Sequence, residues 1–478
     1  MKIIIIGAGF TGGLLARALI AENNRVVLID NDAEKVRSAG DQLDCTVVEA
    51  DGTSLPVLEK AGVASADALV ALTGDDETNM IICSTVEAVY PGVMKIARVR
   101  SYDHFMRISE ISRRTHSSRP ERPVFGIDHV VNPDVEAAES IMRAMEIGAV
   151  GSAIEIGGGY AIAELPVAEG CPVDGVRLKD LQALEGWRYL VAFIESDGET
   201  SLPNGESMLK AGDRAGILVR KTELAEVLKF TGAVSTRIDK VAIFGADNIG
   251  ALTVAAQMDE SPVFWYSLLS FGRSKKRRLT VIDRDLNRCR GLSEKFPEAR
   301  ILNGDITDDG LLQNEGVCES DLMVAASGNY ERNLLTAAYM KLKGVKKVIA
   351  LTSDSAFAEI AEKLGVDVSV PMRDTVIDAI MSHLRGRNVK SVRSIGAREF
   401  EIVSCEVSAD SKAAGLRIRD IDGLEEAVVL LVRQPGTEKS EIPGGSTELR
   451  PGAHVVIIMP AGDTRTVRMF AGRPEPQP

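Results

Sequence analysis

The stretch Lys2-Ile3-Ile4-Ile5-Ile6-Gly7-Ala8-Gly9-Phe10-Thr11-Gly12-Gly13, together with the residues as far as Asp30, decides how this chain folds. Lys2 to Ile6 is a short β-branched run, as in a strand buried on both faces, and it stops at glycines spaced G-x-G-x-x-G. Behind them Leu14, Leu15, Ala18 and Leu19 keep helical spacing, and Arg25 to Ile29 reads as a second buried strand closing on Asp30. Strand, glycine turn, helix, strand and acid in that order predict a βαβ unit for a dinucleotide.

Each residue type has a physical reason. Gly7 permits the tight turn, Gly9 leaves the backbone open to a pyrophosphate, and Gly12 lets the helix approach the strand. The helix N-terminus then offers N–H groups to phosphate. Asp30 stands where a carboxylate accepts from ribose hydroxyls, with no adjacent basic residue to welcome a 2′-phosphate, so NAD(H) is favoured over NADP(H).

At 478 residues the chain predicts three or four domains. A net charge of −13 argues against a nucleic-acid partner, because neutralising phosphates needs a basic face. No apolar run reaches the length of a membrane span, and the first strand begins at once, leaving no room for a signal peptide. The six cysteines and five histidines are scattered without a paired-ligand spacing, which predicts free thiols and no metal site.

Further strands are expected at Thr46–Glu49, ending at Asp51-Gly52-Thr53; at Ala68–Leu72, ending at Thr73 to Asn79; at Lys95–Val99, carrying Arg98; and at Val130-Val131. Asp75, Asp76 and Glu77 read first as the cap and acidic first turn of the helix running to Tyr90. A helix to about Ile147 follows Pro133, and short alternating strands then mark a small α+β module. The pattern recurs. Gly7 and Gly245 are 238 apart, Asp51 and Asp305 are 254 apart, as are Asn79 and Asn333, and Gly175 and Gly415 are 240 apart. The domains expected are 1–133, a connecting helix 134–149, a module 150–232, a second nucleotide domain 238–388, a second module 394–471 and a disordered tail 472–478. The change of offset marks an insertion near 258–278, where Val263, Phe264, Trp265, Tyr266 and Phe271 precede Arg273, Lys275, Lys276, Arg277 and Arg278. This suits either a cover for the second domain's core or a contact with a membrane face.

On these motifs, and above all on their tandem arrangement, the chain resembles the TrkA-type tandem RCK (regulator of K⁺ conductance) subunits of Trk potassium uptake systems. The residues carrying the resemblance are Gly7 to Gly12, Asp30, Asp51-Gly52-Thr53, Thr73 to Asn79, Ile96-Ala97-Arg98-Val99 and Leu209 to Asp213. It implies an α/β fold of two Rossmann-like parallel-sheet nucleotide-binding domains, each followed by a small α+β RCK C-terminal module. It further implies a cytoplasmic regulatory subunit, peripheral at the inner face of the membrane. Such a subunit forms a homo-oligomer, usually a tetramer, beneath a TrkH-type potassium translocator that it gates in response to NAD(H) and ATP or ADP. Carried over by motif, Gly7, Ala8, Gly9, Phe10, Thr11 and Gly12 cradle phosphates, Asp30 holds ribose, Asp51 the adenosine region, and Arg98 phosphate charge, with Thr73 and Gly74 in the facing loop. The second half departs from the pattern: Asp247 replaces the middle glycine, Ile306 the glycine after Asp305, and Ala350 aligns with Arg98. A dehydrogenase is the rival reading, but no acid–base constellation for hydride transfer stands in the sequence. A free-standing ligand sensor without a channel is the third.

Overall fold

The computed structural model describes every residue except 116–123, 148–151, 188, 234–237, 259–276, 385–388, 396–398, 425, 438 and 473–478. The aromatic and basic insertion and the tail therefore fall almost wholly outside the described residues.

Strands β1 (Lys2–Ile6), β2 (Arg25–Asp30), β3 (Thr46–Glu49), β4 (Ala68–Ala71), β5 (Met94–Arg98) and β6 (His129–Val131) pair in parallel in the order β3-β2-β1-β4-β5-β6. This is the doubly wound order in which strand direction of travel reverses beside β1. The isoleucine run explains why β1 is central. Ile3 and Ile5 enter one core with α1 (Phe10–Ala21) and α2 (Ala33–Gln42), while Ile4 and Ile6 enter the other with α3 (Leu55–Ala61), α4 (Asp76–Val89) and α5 (Tyr102–Thr115). All four are at most 2% exposed, and burying each such side chain stabilises by about 1.5–3 kcal/mol.

At the base of β5, Lys95 is fully buried, with Nζ 2.6 Å from Glu87 Oε2 and 3.2 Å from Asp128 Oδ2. The strand read as Lys95–Val99 begins one residue earlier, at Met94.

The first core also takes in residues from far along the chain. Val376, Ile377, Ile380, Met381 and Leu384, on the helix Met372–Leu384, pack with Ile3, Leu15 and Leu28. On the same helix His383 stacks on His129 of β6, ring centroids 4.0 Å apart. Burial first, and His129 second, hold the His383 imidazole down to about 4. One compact unit thus comprises Met1–Pro133, Val376–Val392 and Gly462–Pro478, and the other Asp134–Thr375 and Arg393–Ala461. The sequence reading counts the helix Met372–Leu384 within 238–388; its apolar face enters the first core.

In the second unit, α6 (Pro133–Ile147) leads from the first half into β7 (Ser152–Gly157), β8 (Tyr160–Pro166), β9 (Leu190–Ser196), β10 (Glu199–Ser201) and β11 (Arg214–Arg220), a sheet of order β10-β9-β11-β8-β7 with antiparallel pairs. Its core includes Leu165, Ile217 and, from α7 (Leu224–Thr231), Val227. α6 lies against α8 (Asn248–Gln257): Asn248 Nδ2 donates to Asp134 Oδ2 at 3.1 Å and Gln257 Nε2 to Met142 Sδ at 3.2 Å.

β12 (Lys240–Phe244), β13 (Arg278–Asp283), β14 (Arg300–Asn303), β15 (Leu322–Ala325), β16 (Lys347–Thr352) and β17 (Val368–Pro371) repeat the first sheet in the order β14-β13-β12-β15-β16-β17. The second module, β18 (Val389–Ile395), β19 (Phe400–Glu406), β20 (Val428–Arg433) and β21 (His454–Pro460), has the order β18-β19-β21-β20. The two module sheets share a core in which Tyr160, Ile162 and Phe193 meet Ile402, Leu431 and Val456.

Candidate nucleotide-binding site

The predicted glycines take distinct jobs at the end of β1. Gly7 has φ +110°, and a Cβ there would stand 2.9 Å from the Leu72 carbonyl oxygen. At Gly12 a Cβ would stand 1.9 Å from the Gly7 carbonyl oxygen, so only glycine permits this helix-to-strand approach. Gly9 is different: nothing lies within 4 Å of a Cβ built on it. It is the N-cap of α1 and has no side chain with which to cap it. The result is a helix N-terminus reached across open space, with a dipole that favours negative charge.

Asp30 closes β2 beside this turn. Its Oδ2 accepts from Ala8 N–H at 2.6 Å and its Oδ1 from Asp32 N–H at 2.9 Å, which fixes the carboxylate and leaves lone pairs for hydroxyl donors. Asp51, beyond β3, accepts from Thr53 N–H at 2.9 Å and Thr53 Oγ1 at 2.8 Å, and these bonds hold its carboxyl below the usual range.

The facing loop after β4 is clamped from below. Thr73 N–H and Oγ1 donate to Asn79 Oδ1 at 2.9 and 2.8 Å, and Asn79 Nδ2 donates to the Arg98 carbonyl at 2.9 Å. Arg98 Nη2 in turn donates to the Thr73 carbonyl at 2.5 Å. Arg98 is 9% exposed and its Nε is buried without a hydrogen-bond partner. Burial also lowers its pKa. An unpaired N–H on a buried guanidinium is costly unless a further acceptor arrives, so the residues present fit an anionic group at this end of the sheet. The acidic trio does more than start α4. Asp75 caps it through Thr78 N–H, whereas Asp76 accepts from Arg100 N–H at 2.9 Å and Ser101 N–H at 2.7 Å, tying the β5 exit to this loop. Sequence reasoning missed the clamp of Asn79; its signal was the constant spacing of Thr73 and Asn79, repeated as Ser327 and Asn333.

The second half rebuilds this frame. Gly245 has φ +109°, a Cβ on Gly250 would stand 1.9 Å from the Gly245 carbonyl oxygen, and Asp283 Oδ2 accepts from Ala246 N–H at 2.7 Å. Asn333 Oδ1 accepts from Ser327 N–H at 2.9 Å, and its Nδ2 donates to the Leu351 carbonyl at 3.1 Å. That last bond corrects the alignment of Ala350 with Arg98. Ala97 pairs with Ala71 while Ala350 pairs with Ala325, so Ala350 answers to Ala97 and Leu351 to Arg98. The countercharge is absent either way. Asp305 is joined in an ion pair by Arg284, and Ile306 is buried in the domain core. Asp247 caps α8, its Oδ1 3.5 Å from Gly250 N–H and its Oδ2 accepting from Gly328 N–H at 2.5 Å.

Against known families, the chain matches the TrkA-N domain over 3–133 and 267–371, and the TrkA-C domain over 162–232 and 402–472. It is 27% identical over 472 residues to the Trk system potassium uptake protein TrkA of Azorhizobium caulinodans, covering 98% of each chain. To the Trk system potassium uptake protein TrkA homolog of Archaeoglobus fulgidus it is 30% identical over 456 residues, covering 94% of this chain and 95% of that one. Among solved structures, the GsuK channel bound to NAD is similar in fold with a TM-score of 0.55 at 19% identity, over 98% of this chain and 78% of that one. The GsuK RCK domain gives 0.54 at 18% identity, over 99% of this chain and 95% of that one.

Proposed function

The chain belongs to the TrkA family, with TrkA-N and TrkA-C domains in tandem, and from that premise we propose that it is a nucleotide-binding regulatory subunit of a potassium uptake system. It acts at the cytoplasmic face of the membrane as a homo-oligomer, a tetramer, gating a TrkH-type translocator without catalysing a reaction. Its domains run 1–133, 150–232, 238–388 and 394–471, with 134–149 connecting. The names of the relatives support the potassium system, and no helix among the described residues is long and apolar enough to cross a membrane.

The observation that carries the reading is the N-terminus of α1 at Gly9, which has no side-chain cap and faces open space, while Gly7 and Gly12 on either side are closed against backbone. The loop Gly7 to Gly12 holds the phosphates of NAD(H), or of ATP and ADP as alternatives; Asp30 takes ribose hydroxyls and Asp51 the adenosine side. Thr73 and Gly74 line the facing loop, and Arg98 supplies positive charge. Gly9→Asp tests this. The second half carries Asp at that position within an intact sheet, so the variant is expected to fold. A carboxylate about 4 Å from a phosphate charge costs roughly 4 kcal/mol at an effective dielectric of 20, or about a thousandfold in affinity. Calorimetry with NADH and ATP should show binding lost; wild-type affinity in Gly9→Asp would overturn the site.

A further inference from the structure

We propose that the Asp247 carboxylate stands in the second half where a ligand phosphate stands in the first, so that this half is held by its own side chain in the arrangement the other half reaches only with nucleotide bound. The first half supplies the comparison. Gly9 and Gly74 face open space, each with nothing within 4 Å of a built Cβ. Their counterparts are Asp247 and Gly328, and here the gap is closed: Asp247 Oδ2 accepts from Gly328 N–H at 2.5 Å while Oδ1 faces Gly250 N–H. A Cβ on Gly328 would stand 3.3 Å from that same oxygen. One anion therefore joins the α8 N-terminus to the loop after β15, the two elements a pyrophosphate would bridge.

Several groups around it also meet carboxylates of the chain. Ala246 N–H is taken by Asp283, Arg284 is paired with Asp305, and Leu351 offers no cation at the Arg98 position. Gly328 N–H, Ala246 N–H and the Arg284 guanidinium thus each meet a carboxylate of the chain, whereas Arg332 Nη2, 3.6 Å from Asp305, makes no hydrogen bond. The consequence is an asymmetric subunit in which nucleotide changes the first half alone and the second serves as a fixed reference. This last step rests on the nucleotide reading of the first half; the bridge itself does not.

The test uses the full-length chain and hydrogen exchange followed by mass spectrometry, with ATP and inorganic tripolyphosphate as probes. In wild type, ATP should slow exchange around residues 9–12 and 73–75 and leave 247–250 and 327–329 unchanged. In Asp247→Gly the second pair of segments should exchange about tenfold faster, the factor supplied by ~1.4 kcal/mol, and millimolar tripolyphosphate should return them to the wild-type rate. Should Asp247→Gly not fold, Asp247→Asn is read the same way, with a smaller increase because one acceptor survives. Unchanged exchange on removing the carboxylate, or an increase that tripolyphosphate does not reverse, would overturn the proposal. Absence of any ATP effect at residues 9–12 in wild type would overturn the first-half reading, while the variant comparison still decides this one.

Discussion

Gly12→Ala and Gly250→Ala place the same methyl group in the same trap, and the pair separates folding from binding. In each half the added Cβ would stand 1.9 Å from a backbone carbonyl, about 1.5 Å short of ordinary contact, and backbone cannot rotate away as a side chain can. The helix must therefore slide back from the strand end. Overpacking of this kind costs about 1–3 kcal/mol, and both variants should lose a similar amount in urea denaturation. Their effects on ligand should differ. A slide of that size takes the α1 N–H groups out of hydrogen-bonding range of a phosphate seated at Gly9. Losing even one charge-assisted bond of about 1.5–3 kcal/mol weakens binding roughly 10- to 150-fold. Calorimetry with ATP and NADH should accordingly show a large loss for Gly12→Ala and near wild-type affinity for Gly250→Ala. Equal losses would mean that the substitution acts through the whole fold, and wild-type affinity in Gly12→Ala would mean that the α1 N-terminus does not hold the ligand.

Two further outcomes come from buried charge. Lys95→Met leaves Glu87 and Asp128 facing each other without their cation, which should cost about 3–5 kcal/mol; adding Glu87→Gln and Asp128→Asn should recover most of it, and a loss below about 1 kcal/mol in urea titration would discount the triad. His383, held down to about 4 against an ordinary value of 6.5, is favoured neutral in the folded chain. Its contribution, about 3 kcal/mol, is complete above pH 6.5 and lost as pH falls toward 4, so His383→Phe should flatten the stability profile across that window.

The frame of the site was legible because its residues are constrained by local chemistry. A glycine at a positive φ, a helix start and an acid at a strand end all lie within one βαβ unit, and the sequence there states its own geometry. What lay beyond reach was determined by partners distant in sequence. The repeated spacing of Thr73 and Asn79 marks the pair but not its bonds, which clamp the Thr73 loop to the β5 exit, and a gap of one residue between β15 and β16 was enough to put Ala350 where Leu351 belongs. The replacement of Gly9 by Asp247 in the repeat was visible as a departure, but its bond to Gly328 arises only on folding, since the two are 81 positions apart. The exchanged helices were hidden for a like reason. The apolar face of Met372–Leu384 looks the same whether it covers the sheet before it or another.

That exchange has a temporal side. The first sheet's core is finished by Val376 to Leu384, which leave the ribosome long after Pro133. At about 5–20 residues per second the interval is roughly 10–50 s, during which Ile3, Leu15 and Leu28 lack part of their cover. A nascent first half must wait with an apolar flank exposed, or borrow a helix of the same kind from a neighbouring chain. Synthesis order thus sets up a competition between completion in cis and capture in trans. A fragment ended after the first module would have only the second course open to it.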